Sequence, residues 1–278
     1  MVLATLLWPV NRWVMGRGGR PEAFGLATAV TAALISSPLA LASGQSLADP
    51  VVWSVGAVIG VAFAVGYFMV IMHCLRIGPT GPTAAVNNMG LVWPVVAGLV
   101  WPESRSLGWE LVSGLALVVV GLALFGVASS RAPAVTGLSR RWVAWVLLGW
   151  LLAGVSMTAQ YVGTVLVPDG PLALTAAFYL VAVLVLTAIL GRRGRLSLSR
   201  LELAGGAVNG LISAAAMVTT LLSLRHFRAE IVFPVTVALP ILLVLLLSAA
   251  VYRERLTVLS WAACATGGAG LVVLTLTR

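Results

Sequence analysis

Lysine does not occur in this chain, and all seventeen of its basic side chains are arginine. A Walker phosphate loop, which sets a lysine on the β- and γ-phosphates, is therefore excluded, as is a Schiff-base enzyme, which needs an amine. Cysteine and histidine are nearly absent too. Cys74, Cys264, His73 and His226 are too few and too scattered for a CxxC or HExxH site, so neither metal nor cofactor is expected. Charge of either sign is scarce: 9% of the 278 residues are charged, against about 25% in a soluble domain. That shortage excludes an ordinary globular protein. The net charge of +9 does not indicate nucleic acid, because the arginines lie between apolar runs rather than along one polar helix face.

What fills the chain instead is apolar sequence, at 60% of residues. Read between charges, it gives nine runs above the spanning threshold of roughly 18 residues. They are Ala23 to Ala48, Val51 to Leu75, Ile77 to Pro102, Leu111 to Ser130, Trp142 to Pro168, Gly170 to Gly191, Leu203 to Leu224, Ile231 to Tyr252 and Leu256 to Thr277. A tenth, Val2 to about Gly16, is short and interrupted by Pro9, Asn11 and Arg12, and crosses obliquely or in part. No basic residue precedes that stretch and no small-residue cleavage pattern follows, so it does not read as a secretory signal. Ten crossings of ~20 residues leave fewer than ~80 for all connections, which places function inside the bilayer. The runs are too long for barrel strands of ~10 residues, so the class is an all-α membrane protein of about ten transmembrane helices.

The sequence also repeats. Gly56-Ala57-Val58-Ile59-Gly60 returns as Gly206-Ala207-Val208-Asn209-Gly210, Leu75-Arg76 as Leu224-Arg225, Glu103 as Glu254 and Trp109 as Trp261, at offsets of 149 to 152. The natural parse is two halves of five helices, 1–128 and 129–278. Five is odd, so the second half enters from the opposite side, giving an inverted-topology repeat of the kind found in secondary transporters. The chain resembles the EamA type of the drug/metabolite transporter superfamily over nearly its whole length. The resemblance rests on Leu6-Leu7-Trp8 with Asn11, on the two Leu-Arg pairs, and on Glu103 and Glu254, each followed by a Gly-rich apolar helix. It implies ten helices in two repeats, a transporter, and export as the direction. The chain departs from the family pattern at Pro9, where a glycine is expected after Trp8.

Polar residues inside the spans carry the functional expectation, because an amide in hydrocarbon is costly unless it faces a partner or a wet cavity. At 1.5 Å per residue, Asn11, Asn88 and Asn209 lie about 8, 11 and 9 Å from one membrane face. With Trp8 and Tyr67 deeper in the same half they are expected to line one mouth of a central cavity, and Gln160 and Tyr161 to form a second layer. Interhelical hydrogen bonding alone also accounts for such amides, at about 0.6 kcal/mol each. Pro94 and Pro240, in the fourth and ninth helices, are candidate gate hinges. The paired glycines read first as small-xxx-small packing, and Glu103 and Glu254 as partners of helix N-terminal dipoles. Glu22, Glu110, Glu202 and Glu230 all lie near span boundaries. A proton-coupled mechanism built on a mid-membrane carboxylate is thus disfavoured, and facilitated diffusion or exchange is expected.

The reading is a non-enzymatic carrier of small organic metabolites or drugs, working as a monomer or weak dimer in a bacterial inner membrane. An intramembrane enzyme acting on lipid-linked substrates would need a nucleophile and base, paired aspartates or metal ligands, and none can be assembled. A membrane scaffold would leave the repeats and layered amides without purpose. Thirteen arginines fall in the connections after the odd-numbered helices, against Arg105, Arg225, Arg228 and the terminal Arg278 on the other face. The positive-inside rule puts the thirteen in the cytoplasm and Arg278 outside, whereas the family resemblance implies cytoplasmic termini. The charge rule is favoured. A reporter enzyme fused after Arg278 should show periplasmic activity, and cytoplasmic activity would refute the charge argument.

Overall fold

The computed structural model describes residues 7–77, 80–101, 108–130, 139–229, 231–237, 239 and 257–276, and every regular element among them is helical. The elements are α1 (Leu7–Gly16), α2 (Pro21–Ala42), α3 (Pro50–Val61), a π-helical stretch (Ala62–Ile71) and α4 (Met72–Ile77). They continue with α5 (Thr80–Asn88), a 3₁₀ turn (Met89–Leu91), α6 (Val92–Val100), α7 (Trp109–Ser130), α8 (Arg140–Leu166), α9 (Pro171–Arg192), α10 (Arg200–His226) and α11 (Val258–Leu276). Residues 231–237 are also helical.

Among the described residues six helical stretches are long and apolar enough to cross a bilayer, consistent with a helical membrane protein: 21–42, 50–74, 109–128, 140–166, 171–192 and 200–226. Their outward surfaces agree. On α8, Val143, Leu147, Leu151 and Val155 are exposed at a spacing of four, an apolar stripe that water would not tolerate and lipid tails would. The expected fourth helix, Ile77 to Pro102, is not one helix: α5, the 3₁₀ turn and α6 occupy it. The first is helical over Leu7–Gly16 among the described residues.

Helix starts and stops follow local chemistry. Pro21, Pro50 and Pro171 open α2, α3 and α9 at positions where no backbone donor is needed. Asp49 caps α3 by accepting from the Val51 amide at 2.8 Å. Ser199 and Glu202 form a capping box on α10: the serine hydroxyl accepts from the Glu202 amide at 3.2 Å, and the Glu202 carboxylate accepts from the Ser199 amide at 2.8 Å. Gly44 and Gly194 end α2 and α9 with φ of 73° and 61°. There Gln45 N–H reaches Ala40 O at 2.9 Å and Arg195 N–H reaches Leu190 O at 3.0 Å, a Schellman closure that favours glycine.

The chain divides into two compact units, one of residues 3–69 with 158–226 and one of 70–157 with 227–278. Neither coincides with 1–128 or 129–278, since each unit takes residues from both. In the first unit α3 lies along α9 and α10 along α2. A Cβ on Gly56 would fall 2.7 Å from Ala177 Cβ, and one on Gly60 would fall 2.6 Å from the Phe178 carbonyl oxygen. The same contact occurs a second time with the partners exchanged: Gly206 faces Ala27, and a Cβ on Gly210 would fall 2.5 Å from the Thr28 carbonyl oxygen. Every residue of one contact maps to the other by a shift of 150. Residue numbers rise together across both contacts, so each pair of helices is parallel. The core around them contains Phe24, Ile59, Phe68, Leu174, Phe178, Tyr179, Leu186 and Leu221.

The second unit shows the same exchange in an antiparallel pair. A Cβ on Gly121 of α7 would fall 2.7 Å from the Gly267 nitrogen, and one on Gly270 of α11 would fall 2.7 Å from the Gly114 carbonyl oxygen. Here the shift is 149. Gly154 of α8 lies under the Trp93 ring, which is 5.3 Å from that of Trp150.

Gly60→Val drives a side chain into a carbonyl that cannot yield, so it should cost about 1–3 kcal/mol and lower the melting temperature in detergent. Gly210→Val should behave alike. A methyl group on Gly268 would meet nothing within 4 Å, so Gly268→Ala should leave melting unchanged or slightly raised. Equal effects at all three positions would show that close approach does not hold these helices.

Candidate functional site

The first unit holds Trp8 and Asn11 on α1, Tyr67 on the π-helical stretch and Asn209 on α10, with Gln160 and Tyr161 on α8. Asn11 of α1 and Asn209 of α10 are 3% and 2% exposed. Val14 packs over Gly205, and Arg20, just past α1, reaches Glu202. Those contacts run in opposite sequence sense, so α1 meets α10 antiparallel and Asn11 is carried toward the level of Asn209. The Asn11 amide donates to the Tyr67 hydroxyl, and the Asn209 amide donates to Thr28 Oγ1 at 3.2 Å. Among the described residues the carbonyl oxygen of each asparagine has no partner and no solvent.

Tyr67 lies in the π-helical stretch, which winds more widely than an α-helix and is a frequent accompaniment of functional positions. Its ring stacks on Phe63 at 5.9 Å, and Phe63 meets Phe178 edge-on at 5.0 Å. Tyr161 is buried and Gln160 half-buried on the C-terminal part of α8. Beside them Gly163 receives Val55, where a Cβ would fall 2.9 Å from Val55 Cγ1. Trp8 belongs to α1, but its side chain lies outside the described residues.

Asn88 and Pro94 belong to the second unit. Asn88 is half-buried and ends α5, immediately before the 3₁₀ turn. Pro94 explains the break: without an N–H it cannot bond to the Gly90 carbonyl, and its ring crowds that carbonyl, so the turn tightens at Met89–Leu91. The hinge candidate Pro240, together with Glu103 and Glu254, lies outside the described residues. His73 meets Trp145 edge-on at 5.0 Å, and its Nε2 is buried without a partner among the described residues.

Sequence reasoning misses Thr28 and the ion pairs at the ends of the first unit. Thr28 signals itself only through the need of Gly206 and Gly210 for a small partner. Glu202 reads from sequence as a boundary residue, yet it is 2% exposed and organises one end of the unit. It accepts from Arg20 Nε at 3.0 Å and Nη2 at 3.1 Å, and from the Arg20 backbone amide at 2.9 Å. The same arginine also reaches the Arg195 and Ser197 carbonyl oxygens. Its hydrogen bond to Glu202, with the nearby charges of Glu202 and Glu22, holds the Arg20 guanidinium above its ordinary pKa. Glu22 pairs with Arg193 at this end. At the other end Gln45 accepts from the Leu172 and Ala173 amides at 2.8 and 3.0 Å, capping α9, and Arg225 pairs with Asp169 at 2.9 Å.

Glu202→Ala removes a buried acceptor from an arginine and from two amides, one of them in the capping box, so a loss of about 1–3 kcal/mol is expected, the cost of leaving such groups unpaired. The Asp169 side chain is 91% exposed, and Asp169→Ala should leave melting unchanged. Melting curves of the two variants side by side test this, and similar shifts would overturn the ranking.

No family model matches the chain, and no curated protein does. Solved structures match: 28 chains do so. One crystal structure of a protein reaches a TM-score of 0.78 at 18% identity, covering 99% of this chain and 94% of that one. At that identity the likeness shows the fold alone.

Proposed function

We propose that the chain is a secondary transporter of small organic molecules, built as two five-helix repeats of inverted topology and working by alternating access to a cavity between them. The observation that carries this reading is the exchange of contacts. Gly56 and Gly60 on Ala177 and Phe178, and Gly206 and Gly210 on Ala27 and Thr28, are one contact made twice with the halves swapped. Such self-complementary pairing is what a two-fold axis produces. Parallel contacts between the third and seventh spans, and between the eighth and second, fit ten alternating crossings, as does the antiparallel fifth and tenth pair. An axis of this kind in the membrane plane gives two states related by symmetry, one open to each side.

The resemblance to the EamA type of drug/metabolite transporter supports the same function and adds export across a bacterial inner membrane as the direction. Asn11, Tyr67 and Asn209, with Trp8, Gln160 and Tyr161, are the proposed substrate contacts of the first unit, and Asn88 is one proposed in the second. The turn ahead of Pro94 is the proposed hinge, with Pro240 its counterpart. Without a mid-span carboxylate, the mechanism is facilitated diffusion or exchange.

Purified protein in proteoliposomes should carry substrate-dependent flux for at least one member of a broad metabolite panel, and absence of all flux would overturn the proposal. Pro94→Ala restores a backbone donor and should lower maximal flux several-fold with little change in half-saturating concentration. An unchanged rate would remove Pro94 from the gating machinery.

A further inference from the structure

Resting on the transporter reading, we infer that the amide pair of α1 and α10 receives a protonated amine, so that the cargo is an organic ammonium with an apolar body. What decides this is the way the amides face. Thr28 has one hydroxyl proton, and it is committed to the Phe24 carbonyl at 2.9 Å. Toward Asn209 the Thr28 oxygen can only accept, which fixes the Asn209 NH₂ against it and turns the Asn209 carbonyl oxygen away. That oxygen is buried and unpartnered among the described residues, as is the carbonyl oxygen of Asn11. A buried acceptor without a donor is costly, roughly 1–3 kcal/mol. Two such acceptors stand open on packed helices.

An occupant that satisfies these oxygens brings hydrogens. A carboxylate or phosphate would set oxygen against oxygen. A primary ammonium brings three donors, and its charge is favoured by carbonyl dipoles and by aromatic faces such as those of Tyr67 and Phe63, which stack on each other at 5.9 Å. Neither asparagine carries a charge, so the amine can be released again.

The test uses the full chain in lipid nanodiscs at neutral pH, with binding followed by thermal shift and by the fluorescence of its ten tryptophans. The probes are 2-phenylethylammonium, its N-trimethyl analogue, which keeps the charge without donors, and 3-phenylpropionate. The primary ammonium should bind about tenfold more tightly than either of the others. Asn209→Leu should erase that preference, whereas Asn209→Asp, which keeps an acceptor, should retain or sharpen it. Should Asn209→Leu fail to fold, Asn11→Leu serves in its place. Equal binding of the three probes, no binding of the ammonium, or preference surviving the leucine variants would leave a resident water only and overturn the inference. Flux of other substrates without ammonium preference would sink this inference alone. Ammonium binding without any flux would sink the transporter reading and leave the site standing.

Discussion

Lipid tails are as apolar as leucine, so burying apolar surface gives transmembrane helices no net reason to associate. What joins α3 to α9 and α10 to α2 is closeness of backbone, and closeness requires that Gly56, Gly60, Gly206 and Gly210 carry no side chain. The aromatic group of Phe24, Phe63, Phe68, Phe178 and Tyr179 fills the first unit at the distance so fixed. Asn209 reaches Thr28 because α10 and α2 meet this closely, and Tyr67, on the same span as α3, reaches Asn11. The Asn209–Thr28 bond therefore inherits its geometry from glycine packing.

The charged groups do a different task. Glu202 with Arg20, Glu22 with Arg193, and Asp169 with Arg225 sit at helix ends, and each joins segments more than fifty residues apart in sequence. Glu202 is the most connected, since it both completes a cap and binds an arginine from another connection. Arginine suits this role because its fork can satisfy a carboxylate and backbone carbonyls together.

Much of the helical pattern was legible because bilayer thickness imposes a length on each apolar run, and six long helices fall where such runs were read. The glycine pairs were legible as packing devices for a related reason: few other residues permit such contact. The break in the expected fourth helix was half legible, since Pro94 announced a kink but not that the disturbance would settle one turn earlier, at Met89–Leu91. Thr28 was invisible, because nothing in its own neighbourhood marks it. Its role arises from Asn209, 181 residues away. The π-helical winding around Tyr67 has no sequence signature either.

Val14 lies over Gly205, while at the corresponding place in the other half Val55 lies over Gly163. Bulk and hollow have thus been traded between α1 and α8 on one side and α3 and α10 on the other. On the repeat reading, were the first five spans to dimerise with a copy of themselves, valine would press on valine; were the last five to do so, glycine would face glycine across a void. Each half has become a lock for the other's key, so on the repeat reading the covalent link between them is more than a tether: it guarantees a partner that neither half could replace with its own twin.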